Sequence, residues 1–388
     1  MRILLVTSRP PWPPRRGDQA RTAGLAARLV ERHHLAVVSV HPAGFPAAAP
    51  PAGVTVVNVA TGRLAQALAV AAHPALPAQV AMHSLPLLRA QVGRTAAEFR
   101  PDVVLLVLSR LGSLLPTLRG LPVVVDFIDS LALNMRQRAS RQPLLAPFLR
   151  LEARRMEAWD RRVLQRVVGG VVVSQRDREA MASADPSLAQ RLAVVPFGVP
   201  VGERPPTPRP QRGVVLLSGN LGYFPTVDGA RWFARQVWPR IRAAAPLAVW
   251  WLAGARPPRS LRKLGRLPGV SVTANPPDLA PLLAAATVAV APLRSGSGTP
   301  IKVLEAMAAG VPVVTTPWAA AGLDDVPAEA VAVAADAETF AACVARLLAD
   351  PALAHRQAVA AWEWLRATHA LPSASAAFEE ILVQAARR

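Results

Sequence analysis

Short β-rich runs alternate with helical segments through both halves of this chain, and that alternation most restricts what it can fold into. Apolar, β-branched runs bounded by turn residues are the mark of buried strands. Helices between them cover both faces of a parallel sheet. The first half offers strands at residues 2–7, 36–40, 54–59, 103–108, 123–127, 170–174 and 193–196, with helices at 19–32, 85–99, 149–166 and 176–182. The second half offers strands at 213–218, 248–253, 270–273, 287–291, 311–315 and 330–334. Its helices fall at 226–244, 279–285, 300–309 and 338–348, with a long helical region from about 351. Residues 200–212 hold five prolines, which remove ladder donors and fix an extended backbone, so a linker is expected there. The expected architecture is two doubly wound α/β domains, 1–199 and 213–388, facing each other across a cleft. The terminal helices are expected to pack back on the first domain.

A chain of 388 residues, 52% apolar, can bury two substantial cores. Its 44 basic and 25 acidic residues give a net charge of +19, which favours anionic partners: nucleotide phosphates, nucleic acid or an acidic membrane surface. Basic residues concentrate at 136–178, but the mixed charges of 150–162 read first as a solvated helix face and second as an anionic-lipid contact. Basic and aromatic residues do not interleave, so no nucleic-acid partner is expected. Cys343 is the only cysteine, and the seven histidines form no HxH or HExxH spacing. No metal site and no cofactor are expected. Neither half has a GxGxxG run, which argues against a nicotinamide dehydrogenase. The opening apolar run reads as a buried strand and not a secretory signal, and residues 279–293 are too short and proline-broken to span a bilayer. A cytoplasmic protein follows, at most peripheral on the inner face of the plasma membrane.

Residues 295–316, SGSGTPIKVLEAMAAGVPVVTT, read as a loop, a helix and a buried strand. Thr299 is placed to cap the helix, with Pro300 at its first position. Gly310 and Pro312 end it. Gly296 and Gly298 let backbone amides of 295–299 approach a ligand, and amides at a helix start attract phosphate. Lys302 and Glu305, three residues apart, share a helix face. A cation for a diphosphate beside a carboxylate for sugar hydroxyls suits a nucleotide-sugar pocket; a solvated ion pair is the plainer alternative. The second domain's first strand runs into SGNLGYFPTVD at 218–228, where Gly219 permits tight backbone and Asn220 can hydrogen-bond a sugar or phosphate.

In the first half, the loop SRPPWPPRRGDQAR at 8–21 follows the first strand, and open parallel sheets bind ligands at strand carboxyl ends. Gly17 can turn the backbone there, and Arg15, Arg16 and Arg21 can meet phosphate. The strand at 123–127 ends in Asp126 and Asp129, which are costly to bury unless paired, capping a turn or facing a cleft.

Taken together, these segments resemble family 4 (group 1) glycosyltransferases. Lys302–Val314 resembles the donor-site motif KVLEAMA-x-G-x-PVV, and Glu305 aligns with that motif's second glutamate. Its first glutamate falls at Ser297. The 13–21 loop looks like the acceptor-side PPxxGxxxR, in which the glycine approaches the donor diphosphate. Ile128–Asp129 stands where many relatives have a His-Asp pair. Residues 170–179 and 194–199 look like the VSxxxxE and VPNGV segments, and 218–233 resembles bacterial sugar transferases associated with the PEP-CTERM/exosortase system.

The resemblance implies a GT-B-like fold of two Rossmann-like domains and retaining transfer of a sugar from a nucleotide-diphosphate donor. It assigns the donor to Gly17, Gly219, Asn220, Ser295, Gly296, Ser297, Gly298, Thr299, Lys302 and Glu305. Asp126, Asp129 and Lys302 become the catalytic candidates, and Arg15, Arg16 and Arg21 the acceptor side. The acceptor is a lipid-linked glycan, a polysaccharide or a small molecule. The departures at Ser297 and Ile128 keep a second reading open, a catalytically decayed binding or scaffold protein.

Overall fold

A computed structural model describes all residues except 43, 46, 47 and 207–209. The chain forms two compact units, Met1–Gly198 with Pro372–Arg388, and Val199–Leu371.

The first unit is built on a seven-stranded parallel sheet in the order β3-β2-β1-β4-β5-β6-β7. Its strands are β1 (Arg2–Thr7), β2 (His34–Pro42), β3 (Val54–Thr61), β4 (Val103–Val107), β5 (Val123–Ile128), β6 (Gly169–Val172) and β7 (Leu192–Val194). The continuous apolar runs are explained by burial on both faces. Leu4, Val6, Val104, Leu106 and Val125 enter one core, while Ile3, Leu5, Val103, Leu105 and Val124 enter another, as the two-residue period requires. Phe378 and Leu382 of the last helix, Leu371–Ala386, fill the second of these cores. Residues 372–388 therefore belong to the first unit.

The second unit carries six parallel strands in the order β10-β9-β8-β11-β12-β13. They are β8 (Val214–Asn220), β9 (Val249–Ala255), β10 (Val270–Ala274), β11 (Val288–Ala291), β12 (Val313–Thr315) and β13 (Ala332–Val333). The expected proline linker is not a separate element. Of its residues, 207–209 lie outside those described; the others belong to this unit, and Gly202 accepts the Trp362 indole at 3.2 Å. Helix 226–244, expected as one piece, is three: Phe224–Trp232, a π-helical turn Phe233–Val237, and Trp238–Ala244. Pro239 has no amide hydrogen to donate, and the wider turn absorbs the missing bond.

Each sheet has a switch point. The chain runs outward from β1 to β3 and returns beside β1 as β4; it runs outward from β8 to β10 and returns beside β8 as β11. Loops at the carboxyl ends of such a strand pair diverge and leave a crevice.

Candidate active site

The switch point of the second unit collects the loops after β8, β9 and β11. β8 and β9 approach so closely at their ends that a Cβ on Gly254, at φ 153°, would lie 1.7 Å from the Gly219 carbonyl oxygen. Just beyond, Arg256 adopts a left-handed φ of 54°, its amide held by the Asn275 side chain at 2.8 Å. This turn brings the Arg256 guanidinium to Asn220 Oδ1 at 3.3 Å. Sequence reading missed Arg256, because the loop after β8 has no cation of its own and only the β8–β9 pairing supplies one.

The loop after β11 is anchored by its carbonyls. Thr316 Oγ1 donates to the Leu293 carbonyl, and the Trp318 indole donates to that of Gly296 at 3.1 Å. Arg294 grips Asp228 through two nitrogens at 3.0–3.2 Å. Gly296 and Gly298 both have positive φ, 119° and 71°, a geometry that L side chains rarely adopt. Two hydroxyls of this loop, Ser295 Oγ and Thr299 Oγ1, are buried and unbonded among the described residues. Thr299 therefore does not cap the helix as expected. The helix is Ile301–Ala308, Pro300 occupies the cap position, and no side chain closes it. Gly310 does take the left-handed conformation, φ 73°, that ends the helix.

Lys302 lies half-buried in the first turn, its stem packed over Gly219. Its ammonium donates to Thr226 Oγ1 at 3.0 Å, a fully buried hydroxyl on helix Phe224–Trp232. No described carboxylate forms an ion pair with it. Burial lowers its pKa to about 8, against the opposing pull of Glu305. Glu305, one turn on, makes no hydrogen bond among the described residues, and burial raises its pKa. Glu305, Ser295 and Thr299 thus keep unspent polar groups at the strand end where Lys302, Gly219 and Asn220 also lie. Such a set can take an anion at the ammonium and hydroxyl groups at the carboxylate.

The expected residues of the first unit are arranged otherwise. Asp126 is 2% exposed; its Oδ2 accepts Arg21 Nε at 2.7 Å and its Oδ1 accepts the Ile128 amide at 3.2 Å. Arg21 Nη1 donates to the Pro196 carbonyl at 3.0 Å. Arg21, expected to meet phosphate, and Asp126, expected in catalysis, are therefore paired with one another inside the unit, with Arg21 Nη2 buried and unbonded. Asp129 follows Ile128, which has φ 64°. Ser130 caps the next helix, Leu131–Arg141, and its amide donates to buried Asp177 at 3.0 Å. Gly17 opens helix Gly17–Leu29 with Arg16 at the cap, and the Arg15 amide donates to Gln19 at 3.2 Å. Residues of the 8–21 loop, Pro10, Pro11 and Trp12, wall a cavity of about 290 Å³ with His41 and Asn58. A second missed group is Asp160, buried on helix Ala146–Leu164, where Ser109 Oγ donates to it at 2.5 Å. Burial raises its pKa to about 7.

Comparison with known proteins bears on both units. Residues 212–350 match the family model described as glycosyl transferases group 1. No curated protein sequence matches the chain. Among solved structures, sucrose-phosphate synthase from Thermosynechococcus elongatus superposes with a TM-score of 0.74 at 15% identity, over 99% of each chain. Anabaena HepE in complex with UDP gives 0.68 at 15% identity, covering 99% of this chain and 100% of that one. Trehalose 6-phosphate synthase from Burkholderia multivorans gives 0.67 at 16% identity, covering 100% of this chain and 98% of that one. The chain has two parallel-sheet Rossmann-like units of the GT-B fold, and its residues 212–350 match the glycosyl transferases group 1 model.

Proposed function

We propose that the protein transfers a sugar from a nucleoside-diphosphate donor, held in the second unit, to an acceptor held by the first. The observation that carries this reading is Lys302: a half-buried ammonium, in no ion pair among the described residues, at a strand-end switch point beside the glycine loop. HepE has been crystallised with UDP and with UDP-glucose, which supports a donor of this chemistry. Lys302 and the amides of 295–299 would meet the diphosphate and stabilise charge as it leaves, which is electrostatic catalysis. Arg256 would supply a second cation from the end of β9. Glu305 would accept hydrogen bonds from ribose hydroxyls. By family resemblance the transfer retains anomeric configuration.

Thermal unfolding with a panel of nucleoside diphosphates, for the native chain, Lys302→Ala and Glu305→Ala, tests the donor site. A ligand at a hundred times its Kd adds about 2.7 kcal/mol. Selective stabilisation by one diphosphate, weakened in both variants, is expected. Indifference of the native chain to every diphosphate would sink the donor reading and favour a decayed scaffold. Retention of the sugar's configuration would be read from the product by NMR.

One surface favours a lipid-linked acceptor at an anionic membrane. Leu144, Phe148 and Leu151 are 98%, 58% and 55% exposed, at and after the turn that joins helices Leu131–Arg141 and Ala146–Leu164. Exposed Arg150 and Arg154 share this surface. Apolar side chains among arginines suit an anionic bilayer interface. No helix among the described residues is long and apolar enough to cross a membrane. Sedimentation with anionic vesicles, lost in Leu144→Asp/Phe148→Asp, is expected; equal binding to neutral vesicles would refute the anionic-surface reading.

A further inference from the structure

The switch point of the first unit holds a buried cation that the donor reading does not use. Arg110 lies three residues beyond Val107, the last residue of β4, past Leu108, whose φ is 74°. It is 7% exposed, its Nε is buried without a hydrogen-bond partner, and no described carboxylate pairs with it. An unpaired buried guanidinium is among the costliest groups a fold can keep. It stays charged at neutral pH, since burial and Arg9 lower its pKa only to about 10.

The charges that act on Arg110 are Arg9 and Arg16 on one side of the balance and Asp18 and Asp129 on the other. Asp18 is occupied by Arg9 Nη1. Three cations thus stand against two carboxylates, leaving a positive surplus. His83, buried nearby, adds no charge: burial, Arg110 and Arg9 hold its pKa down to about 4. The place is the diverging pair of the sheet, where ligands of open parallel sheets bind.

We propose that Arg110 anchors a phosphate subsite in the first unit, so that the acceptor is a phosphorylated sugar or a lipid phosphate. This rests on the reading that the first unit holds the acceptor. A guanidinium fork meets two phosphate oxygens at once, and the surplus of cations supplies the counter-charge.

The test is thermal unfolding of the intact chain, at constant ionic strength, with inorganic phosphate, glucose 6-phosphate, short-chain phosphatidic acid, glucuronate and UDP. Near saturation, a phosphate probe is expected to raise the midpoint of the native chain by roughly 5 °C. The two organic phosphates separate a sugar source from a lipid source. Arg110→Gln is expected to lose that response, keep the UDP response, and melt no lower than the native chain, because it deletes an unpaired buried charge. Arg110→Lys keeps the charge and a weakened phosphate response. Equal phosphate responses in the native chain and Arg110→Gln would overturn the proposal. So would a response to glucuronate alone, or an Arg110→Gln chain that melts several degrees lower. Failure of UDP alone would remove the donor reading and leave the phosphate result standing.

Discussion

The two switch points have the same topology and treat their polar groups in opposite ways. At the end of β8 and β11, Lys302, Glu305, Ser295 and Thr299 keep bonding capacity that the fold does not use. At the ends of β1 and β5, Arg21 pairs with Asp126, Arg9 with Asp18, and Ser130 with Asp177, so the same kind of residues hold loops to strands. On that side no described carboxylate forms an ion pair with Arg110, and Arg21 Nη2 stays unbonded. A strand-end acid or base marks a site only when its partners are missing, and pairing is invisible until the strands are side by side.

Gly254→Ala would drive a Cβ into the Gly219 carbonyl, and the second unit should lose more than about 4 kcal/mol in denaturant unfolding. A smaller loss would mean that β8 and β9 separate easily at their ends. Next, Asp126→Ala leaves Arg21 buried and unpaired, which should cost about 3–5 kcal/mol. The Asp126→Ala chain should keep its response to nucleoside diphosphate. If turnover collapsed while stability held, Asp126 would instead act in catalysis.

Lys302→Ala should lower turnover by about 10²–10³-fold, the scale for losing one preorganised charge-stabilising donor, with little change in stability. The pH dependence sharpens this. The Lys302 pKa is about 8 in the fold against an ordinary 10.5, so the unfolded chain binds more protons between those values. Stability without ligand should therefore rise with pH across that window, while diphosphate affinity falls as the ammonium deprotonates above about 8. Both trends should vanish in Lys302→Ala; urea titrations and calorimetry at stepped pH would read them. The smallest effect expected is that of Thr299→Val. Replacing a buried, unbonded hydroxyl should stabilise the ligand-free chain by about 1 kcal/mol and weaken nucleotide binding. Destabilisation would mean that the hydroxyl is bonded in solution.

Much of the fold was legible. Every expected strand is present within a few residues, because buried parallel strands are apolar runs and the turn residues around them are distinctive. Helices Arg63–Ala72 and Leu131–Arg141 were not foreseen. The second is strongly basic, and its start depends on Ser130, whose capping bond needs the bend at Ile128. In the second unit, the expected loops and Lys302 and Glu305 do come together, since they lie close in sequence or follow adjacent strands. Arg256 and Thr226 escaped notice because each reaches the site only through tertiary packing.

The layered α/β class, the positions of the strands and the glycines on which the loops turn all follow from local patterning along the chain. Which charges are paired depends on the packed fold. Arg21 and Asp126 are 105 positions apart and meet across β1 and β5, whereas no described carboxylate forms an ion pair with Lys302 or Arg110. Whether a charge is paired is a property of distance and burial, and neither is written in the order of the residues.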